Sequence, residues 1–293
     1  MEKNLSCPVC SKSDFSAFLN CKDHLVSRET FKIASCNHCG LKITTPFPKE
    51  EDIAKYYESE EYISHSNSKR GLMNFLYQIA RNYTISRKIK LIKSLTGNDK
   101  IKILDIGCGT GEFLSGCQKS GWIVSGTEPN SKARMYAKTK YEISLYEKES
   151  SINNTFDVIT MWHVLEHTKN LGERILSIKK LLKDSGTIII AVPNYLCYEA
   201  HLYSEFWAAY DVPRHLYHFT PNTITMLMHN YGFNIKKTLP MKLDAFYISM
   251  LSEKNKYGKI NYFRAFINGM KSNLKASKDK NYSSLIYVIQ KAL

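Results

Sequence analysis

Ile101-Lys102-Ile103-Leu104-Asp105-Ile106-Gly107-Cys108-Gly109-Thr110-Gly111-Glu112-Phe113-Leu114 is the stretch that decides the fold of this 293-residue chain. A short β-branched run ends in Asp105, glycines follow at every second position, and an apolar helical pattern then begins. That order reads as strand, tight turn and helix N-terminus, the place where an open α/β sheet takes a small ligand. Glycine belongs there because a Cβ would oppose φ > 0 and hold the backbone away from the ligand.

The spacing selects the ligand. Gly107, Gly109 and Gly111 give G-x-G-x-G, whereas the dinucleotide fingerprint is G-x-G-x-x-G, and its third glycine would fall on Glu112. A carboxylate in the first helical turn repels a pyrophosphate seated on the helix N-terminus. Asp105 is equally wrong for phosphate but suits a cationic amino group. S-adenosylmethionine, an adenosine carrying an ammonium and no phosphate, meets these demands. The stretch resembles the first motif of the class I S-adenosylmethionine-dependent methyltransferases.

Downstream, strand and helix patterns alternate. Helices are expected at 112–120, 131–140, 171–183 and 221–231, and strands at 122–128, 142–146, 157–162, 187–192, 233–238 and 283–290. Such alternation implies a doubly wound, mostly parallel sheet. The expected fold is therefore α/β, a seven-stranded Rossmann-like methyltransferase sheet. Glu128 closes the second strand, where an acid can accept two ribose hydroxyls; Pro129 follows it. The resemblance implies that Asp105, Gly107, Cys108, Gly109, Thr110 and Gly111 hold the methionine part of the cofactor, with Glu128, Pro129 and Trp162 completing the site.

Phe156-Asp157-Val158-Ile159-Thr160-Met161-Trp162-His163-Val164-Leu165-Glu166-His167 is a second point of resemblance to the same class, an FDxI-type strand followed by a VLEH-type turn. His163 to His167 also matches the inverted zinc-protease motif H-x-x-E-H. That motif needs a long helix, and a strand precedes it here, so the context opposes proteolysis. Residues 193–220 then form an aromatic, His- and Arg-rich segment at the carboxyl edge of the sheet, where lids and binding loops sit. Within it, Arg214 is a candidate for a substrate phosphate or carboxylate. His215 is the first candidate for general base and His163 the second.

The N-terminus carries a separate signal. Cys7-Pro8-Val9-Cys10 and Cys36-Asn37-His38-Cys39-Gly40 are two C-x-x-C pairs that can close a tetrahedral zinc site. With four thiolate ligands such a site is structural. Three regions are thus expected: a zinc ribbon at 1–45, a helical cap at 46–98 and the cofactor domain at 99–293, with a lid at 193–220 and a basic helical insertion at 253–280. Tyr56, Tyr57, Tyr62 and Tyr77 of the cap are placed to face the active site or to pack the ribbon.

The composition has 43% hydrophobic residues and a net charge of +14. The densest basic cluster is Lys254, Lys256, Lys259, Arg264, Lys271, Lys275, Lys278 and Lys280, interleaved with Tyr257, Tyr262, Phe263 and Phe266. No apolar run approaches the ~20 residues of a membrane span, and Met1 to Cys7 shows no secretory h-region. A cytoplasmic location is the expectation. The resulting reading is an enzyme that methylates a small hydroxylated acceptor, such as a nucleotide- or lipid-linked sugar. The alternatives are an RNA methyltransferase, which the basic balance favours, and a non-catalytic zinc adaptor. The oligomeric state stays open.

Overall fold

The structure, a computed structural model, describes residues 6–49, 52–57, 72–97 and 100–292, with backbone alone at 54 and 72–80. Tyr62 lies outside the described residues, as does the side chain of Tyr77.

Two sheets organise the chain. The larger has six strands in the order β5-β4-β6-β7-β10-β9. These are β4 (Lys102–Ile106), β5 (Ile123–Thr127), β6 (Phe156–Trp162), β7 (Leu182–Pro193), β9 (Phe233–Pro240) and β10 (Ser284–Lys291). β5, β4, β6 and β7 run parallel. β10 enters antiparallel between β7 and β9, so β9 regains the parallel direction. The central strands are nearly continuous apolar runs because helices cover both faces. The expected seventh strand at 142–146 is reduced to a single parallel bridge between Thr127 and Tyr146. Only Ile143 of that segment offers a buried aliphatic side chain beside the sheet edge, too little for a paired strand.

The crossovers are α2 (Glu112–Lys119), α3 (Ser131–Tyr141), α4 (Leu171–Leu181) and α6 (Pro221–Asn230). A capping box of Thr220 and Thr223, with Pro221 at the first position, starts α6. Ahead of the sheet runs α1 (Leu72–Thr96). It crosses α2 closely: a Cβ on Gly116 would lie 2.9 Å from Ile89 and 3.0 Å from Ile85. The expected 253–280 insertion is a helical hairpin that begins earlier, α7 (Asp244–Tyr257) and α8 (Tyr262–Asp279), while α5 (Tyr198–Tyr203) opens the lid.

The smaller sheet is antiparallel, β1 (Phe15–Lys22), β2 (Thr30–Cys36), β3 (Lys42–Thr45) and then β8 (Tyr217–His218). Its fourth strand comes from the lid, with Ile43 paired to Tyr217 and Lys42 to His218. One hydrophobic cluster joins Cys7, Val9, Leu41 and Ile43 of the ribbon to Leu216, Phe219 and Leu227. A ribbon of this size buries too little surface to stand alone, and it completes its core against the lid.

Candidate active site

The turn after β4 is bare backbone. Gly109 has φ +56°, and a Cβ there would project into open space above the loop. Its N–H donates to Glu128 Oε2 at 2.9 Å, and the Asn130 N–H donates to Oε1 at the same distance. Two backbone donors thus fix the Glu128 carboxylate at the carboxyl end of β5, and each oxygen keeps a lone pair for a further donor. Glu112, at the start of α2, accepts from Thr110 and pairs with Arg81 at 3.1 Å. The thiol of Cys108 turns beneath the loop toward Gly126, where an added Cβ would meet it at 2.7 Å.

Asp105 is buried at the end of β4 and accepts from Thr160 Oγ1 at 2.6 Å. Burial lifts its pKa to about 7 against the opposing pull of Thr160 and Lys88. Lys88 of α1 places Nζ 4.0 Å from the centre of the Trp162 ring, and burial lowers its pKa to about 8. Trp162 packs edge-on against Phe113 at 5.7 Å, and its buried indole N–H has no protein partner. Around the glycine turn lie an acid for an ammonium, a lysine for a carboxylate, an acid for ribose hydroxyls and an unanswered donor. This donor set suits an S-adenosyl amino acid.

The three histidines past β6 differ sharply. His163 stands in the left-handed region at φ +57°, an unfavourable conformation for a residue with a Cβ. Its Nδ1 lies 3.3 Å from Glu166, its Nε2 3.3 Å from Asp244, and its backbone N–H donates to Ala191 at 2.9 Å. Burial alone would lower its pKa, but the two carboxylates overcome that and raise it to about 10. His163 is a cation at neutral pH.

His167 Nδ1 lies 3.0 Å from the Arg214 carbonyl and 3.1 Å from the Tyr57 hydroxyl. Burial and the neighbouring His215 lower its pKa to about 4. His215 Nδ1 lies 2.9 Å from the Ala209 carbonyl. Carbonyls only accept, so both Nδ1 atoms carry hydrogen, and His215 Nε2 lies 3.9 Å from Asp211 Oδ2. The two rings meet edge to face at 4.6 Å, and one donor atom each of Glu166, His167 and His215 lie within 4.8 Å of one another. Glu166 and His167 sit on a short 3-10 turn, Leu165–His167, so the long helix of the protease motif is absent.

A family model described as a methyltransferase domain matches residues 77–238. The chain belongs to this methyltransferase family. Among relatives, the ubiquinone biosynthesis O-methyltransferase of Rickettsia canadensis is 26% identical over 203 residues, spanning 62% of this chain and 84% of that protein. Its counterpart in Colwellia psychrerythraea is 33% identical over 162 residues, half of this chain and 64% of that one. The fold is shared with magnesium protoporphyrin IX methyltransferase from Synechocystis, solved with bound S-adenosylhomocysteine (TM-score 0.55, 12% identity, 83% of this chain and 100% of that one). A cyclopropane synthase from Mycobacterium tuberculosis is similar at TM-score 0.52 and 14% identity, covering 84% of this chain and 100% of that one. The fold is that of the class I, S-adenosylmethionine-dependent methyltransferases.

In this methyltransferase Arg214 does not face the open edge. It is buried, with Nε on Asp211, one terminal nitrogen on the Tyr56 carbonyl at 3.0 Å, and the other on Asp211 and on Asp23 of the ribbon. Every guanidinium nitrogen is engaged, which leaves the side chain joining ribbon, cap and lid. Thr44 of β3 donates to the His215 carbonyl at 2.7 Å, so the ribbon also fixes the backbone of the histidine segment.

The four ribbon cysteines converge. Cys7 and Cys39 sulfurs lie 3.5 Å apart, as do those of Cys10 and Cys36, and all four lie within 4.8 Å of one another. A tetrahedral site with Zn–S bonds near 2.3 Å needs sulfurs ~3.8 Å apart, so the cluster fits a zinc ribbon. Lys88, Asp244 and Thr160 escaped the sequence reading. Lys88 had a usable signal, a lysine inside the apolar stripe of Ile85, Ile89 and Ile92. Asp244 had none, because it reaches His163 only through the return of β9.

No helix among the described residues is long and apolar enough to cross a membrane.

Proposed function

We propose that the methyltransferase transfers a methyl group to a hydroxyl oxygen of a small acceptor, with a nucleotide- or lipid-linked sugar as the favoured class. The observation that carries this is His215, whose Nδ1 is tied to the Ala209 carbonyl while its Nε2, 3.9 Å from Asp211, is the nitrogen left to take a proton. The relatives named as O-methyltransferases support an oxygen acceptor.

The sulfonium of a bound S-adenosylmethionine supplies an already activated methyl group. The protein's task is alignment and proton removal. Asp105 and Lys88 hold the charged amino-acid end and Glu128 the ribose. His215 accepts the acceptor's proton, and Glu166, buried beside it, stabilises the imidazolium that forms. His163, already cationic between Asp244 and Glu166, orders the turn and is the poorer base. Zinc on Cys7, Cys10, Cys36 and Cys39 would be four-coordinate and structural, holding the sheet whose Thr44 fixes the His215 carbonyl.

The test is release of S-adenosylhomocysteine from S-adenosylmethionine across a panel of nucleotide sugars and phenols. Turnover with a hydroxylated acceptor, lost in His215→Ala, is expected. Turnover confined to nitrogen or carbon acceptors overturns the oxygen assignment.

A further inference from the structure

The basic, aromatic cluster at the end of the sequence takes no part in cofactor binding or proton transfer. Its structure is two-faced. Small residues of α8, among them Ala265, Gly269, Ser272 and Ala276, are buried, and Phe246 of α7 lies against Gly269. On another face Phe263, Phe266, Met270 and Leu274 recur every three or four residues and are 77%, 54%, 40% and 64% exposed. Isolated exposed apolar residues are ordinary, but four large ones in a stripe along one helix mark an interaction surface.

At 3.6 residues per turn, Lys271, Lys275 and Lys278 line one border of that stripe, beside Arg264, whose guanidinium is held by the buried Glu253 carboxylate. Between 242 and 280 the hairpin carries nine basic and three acidic residues. The stripe also reaches the catalytic edge. Asn273 donates to the Lys242 carbonyl at 2.9 Å, bringing mid-α8 beside exposed Leu243 and Tyr247, and between these two Asp244 touches His163.

We propose that the outer face of α8, continued by Leu243 and Tyr247, docks on an anionic phospholipid bilayer and holds the acceptor site at the lipid surface. An apolar stripe bordered by lysines is the pattern of a helix lying in the membrane interface, with the ammonium groups reaching lipid headgroups. A second copy on this face would bring two rows of like charge together. Single-stranded RNA would use the aromatic rings but leave Met270 and Leu274 without a role. The proposal is separate from the assignment of the acceptor, since it concerns adsorption and needs no turnover.

The experiment is flotation of the full chain with vesicles of about three parts phosphatidylcholine to one part phosphatidylglycerol, against phosphatidylcholine alone. The chain is expected to float with the anionic vesicles, at least about fivefold less with the neutral ones, and less again in high salt. Phe263→Glu with Leu274→Glu should abolish flotation, and Lys271→Ala with Lys278→Ala should erase the anionic preference. Both pairs are surface positions, so unchanged S-adenosylhomocysteine affinity serves as the control for folding. The proposal is overturned if the chain ignores both vesicles or if the Glu pair floats like the parent. It is overturned equally if the Glu pair instead splits a solution dimer or releases bound RNA.

Discussion

Arg214 and Asp23 form a buried ion pair at 2.9 Å across 191 residues of sequence, and Asp211 shares the same guanidinium. Removing the cation would leave the buried Asp23 carboxylate without its counter-charge and the half-buried Asp211 carboxylate without its partner. Arg214→Ala is expected to cost ~3–5 kcal/mol of stability, measured by denaturant unfolding without any acceptor present. Arg214→Lys should recover only part, because an ammonium cannot reproduce the planar fork that serves both acids and the Tyr56 carbonyl. Unchanged stability with a raised acceptor KM would return Arg214 to the role of substrate clamp.

The same pair sets an acid limit. Burial would raise the Asp23 pKa, but Arg214 and the backbone donors of Ser27 and Leu25 hold it at about 2, below its ordinary 3.8. A depressed carboxyl contributes stability above the unfolded value and loses it as pH falls through the folded one. The expected loss therefore lies between about pH 4 and pH 2, and Asp23→Asn should remove that portion of the acid transition.

Cofactor affinity should depend on pH through Asp105. With a pKa raised to about 7 by burial, the free protein carries a growing fraction of neutral Asp105 as pH falls below that value. An ammonium prefers the ionised form, so binding must expel the proton. Calorimetry is expected to show S-adenosylhomocysteine binding more weakly as pH drops, approaching tenfold per unit, with a proton released on binding. Asp105→Asn should flatten the profile, and Lys88→Ala should weaken binding by roughly tenfold at neutral pH.

His215 and His163 can be separated by their pH behaviour. His215→Ala should lower kcat by roughly 10²–10⁴. His163→Gln should leave the acid limb of the pH–rate profile in place, since that limb reports the base taking up a proton and His163 is held as a cation. A histidine whose pKa is raised to about 10 contributes stability below its ordinary 6.5 and loses it as pH climbs through 10. Imidazole resonances should show His163 charged at pH 8; a titration near 6.5 would refute the clamp.

Removal of zinc should be felt at a distance. Metal analysis is expected to give one zinc per chain, lost on chelation or in Cys10→Ser. Because metal binding is coupled to folding of the ribbon, and β3 pairs with β8, the resonances of His215 and His218 should broaden on zinc loss while the Gly107 to Gly111 turn keeps its own. A ribbon unchanged after chelation would make the metal dispensable.

The sequence by itself determined the β4–turn–α2 unit, the alternation around it and the two cysteine pairs. Each is a local pattern, since glycine conformation, hydrophobic period and thiol spacing act over a few residues. It placed Asp105, Glu128 and Trp162 at one sheet edge for the same reason. Only the tertiary structure decided what Arg214 and His163 are. Arg214 reads as a free cation until Asp23 is brought to it by the ribbon, and His163 as a base until Asp244 arrives at the start of α7, after β9. Charge partners are set by contacts between distant segments, and a buried group's pKa follows its partners rather than its neighbours in the chain.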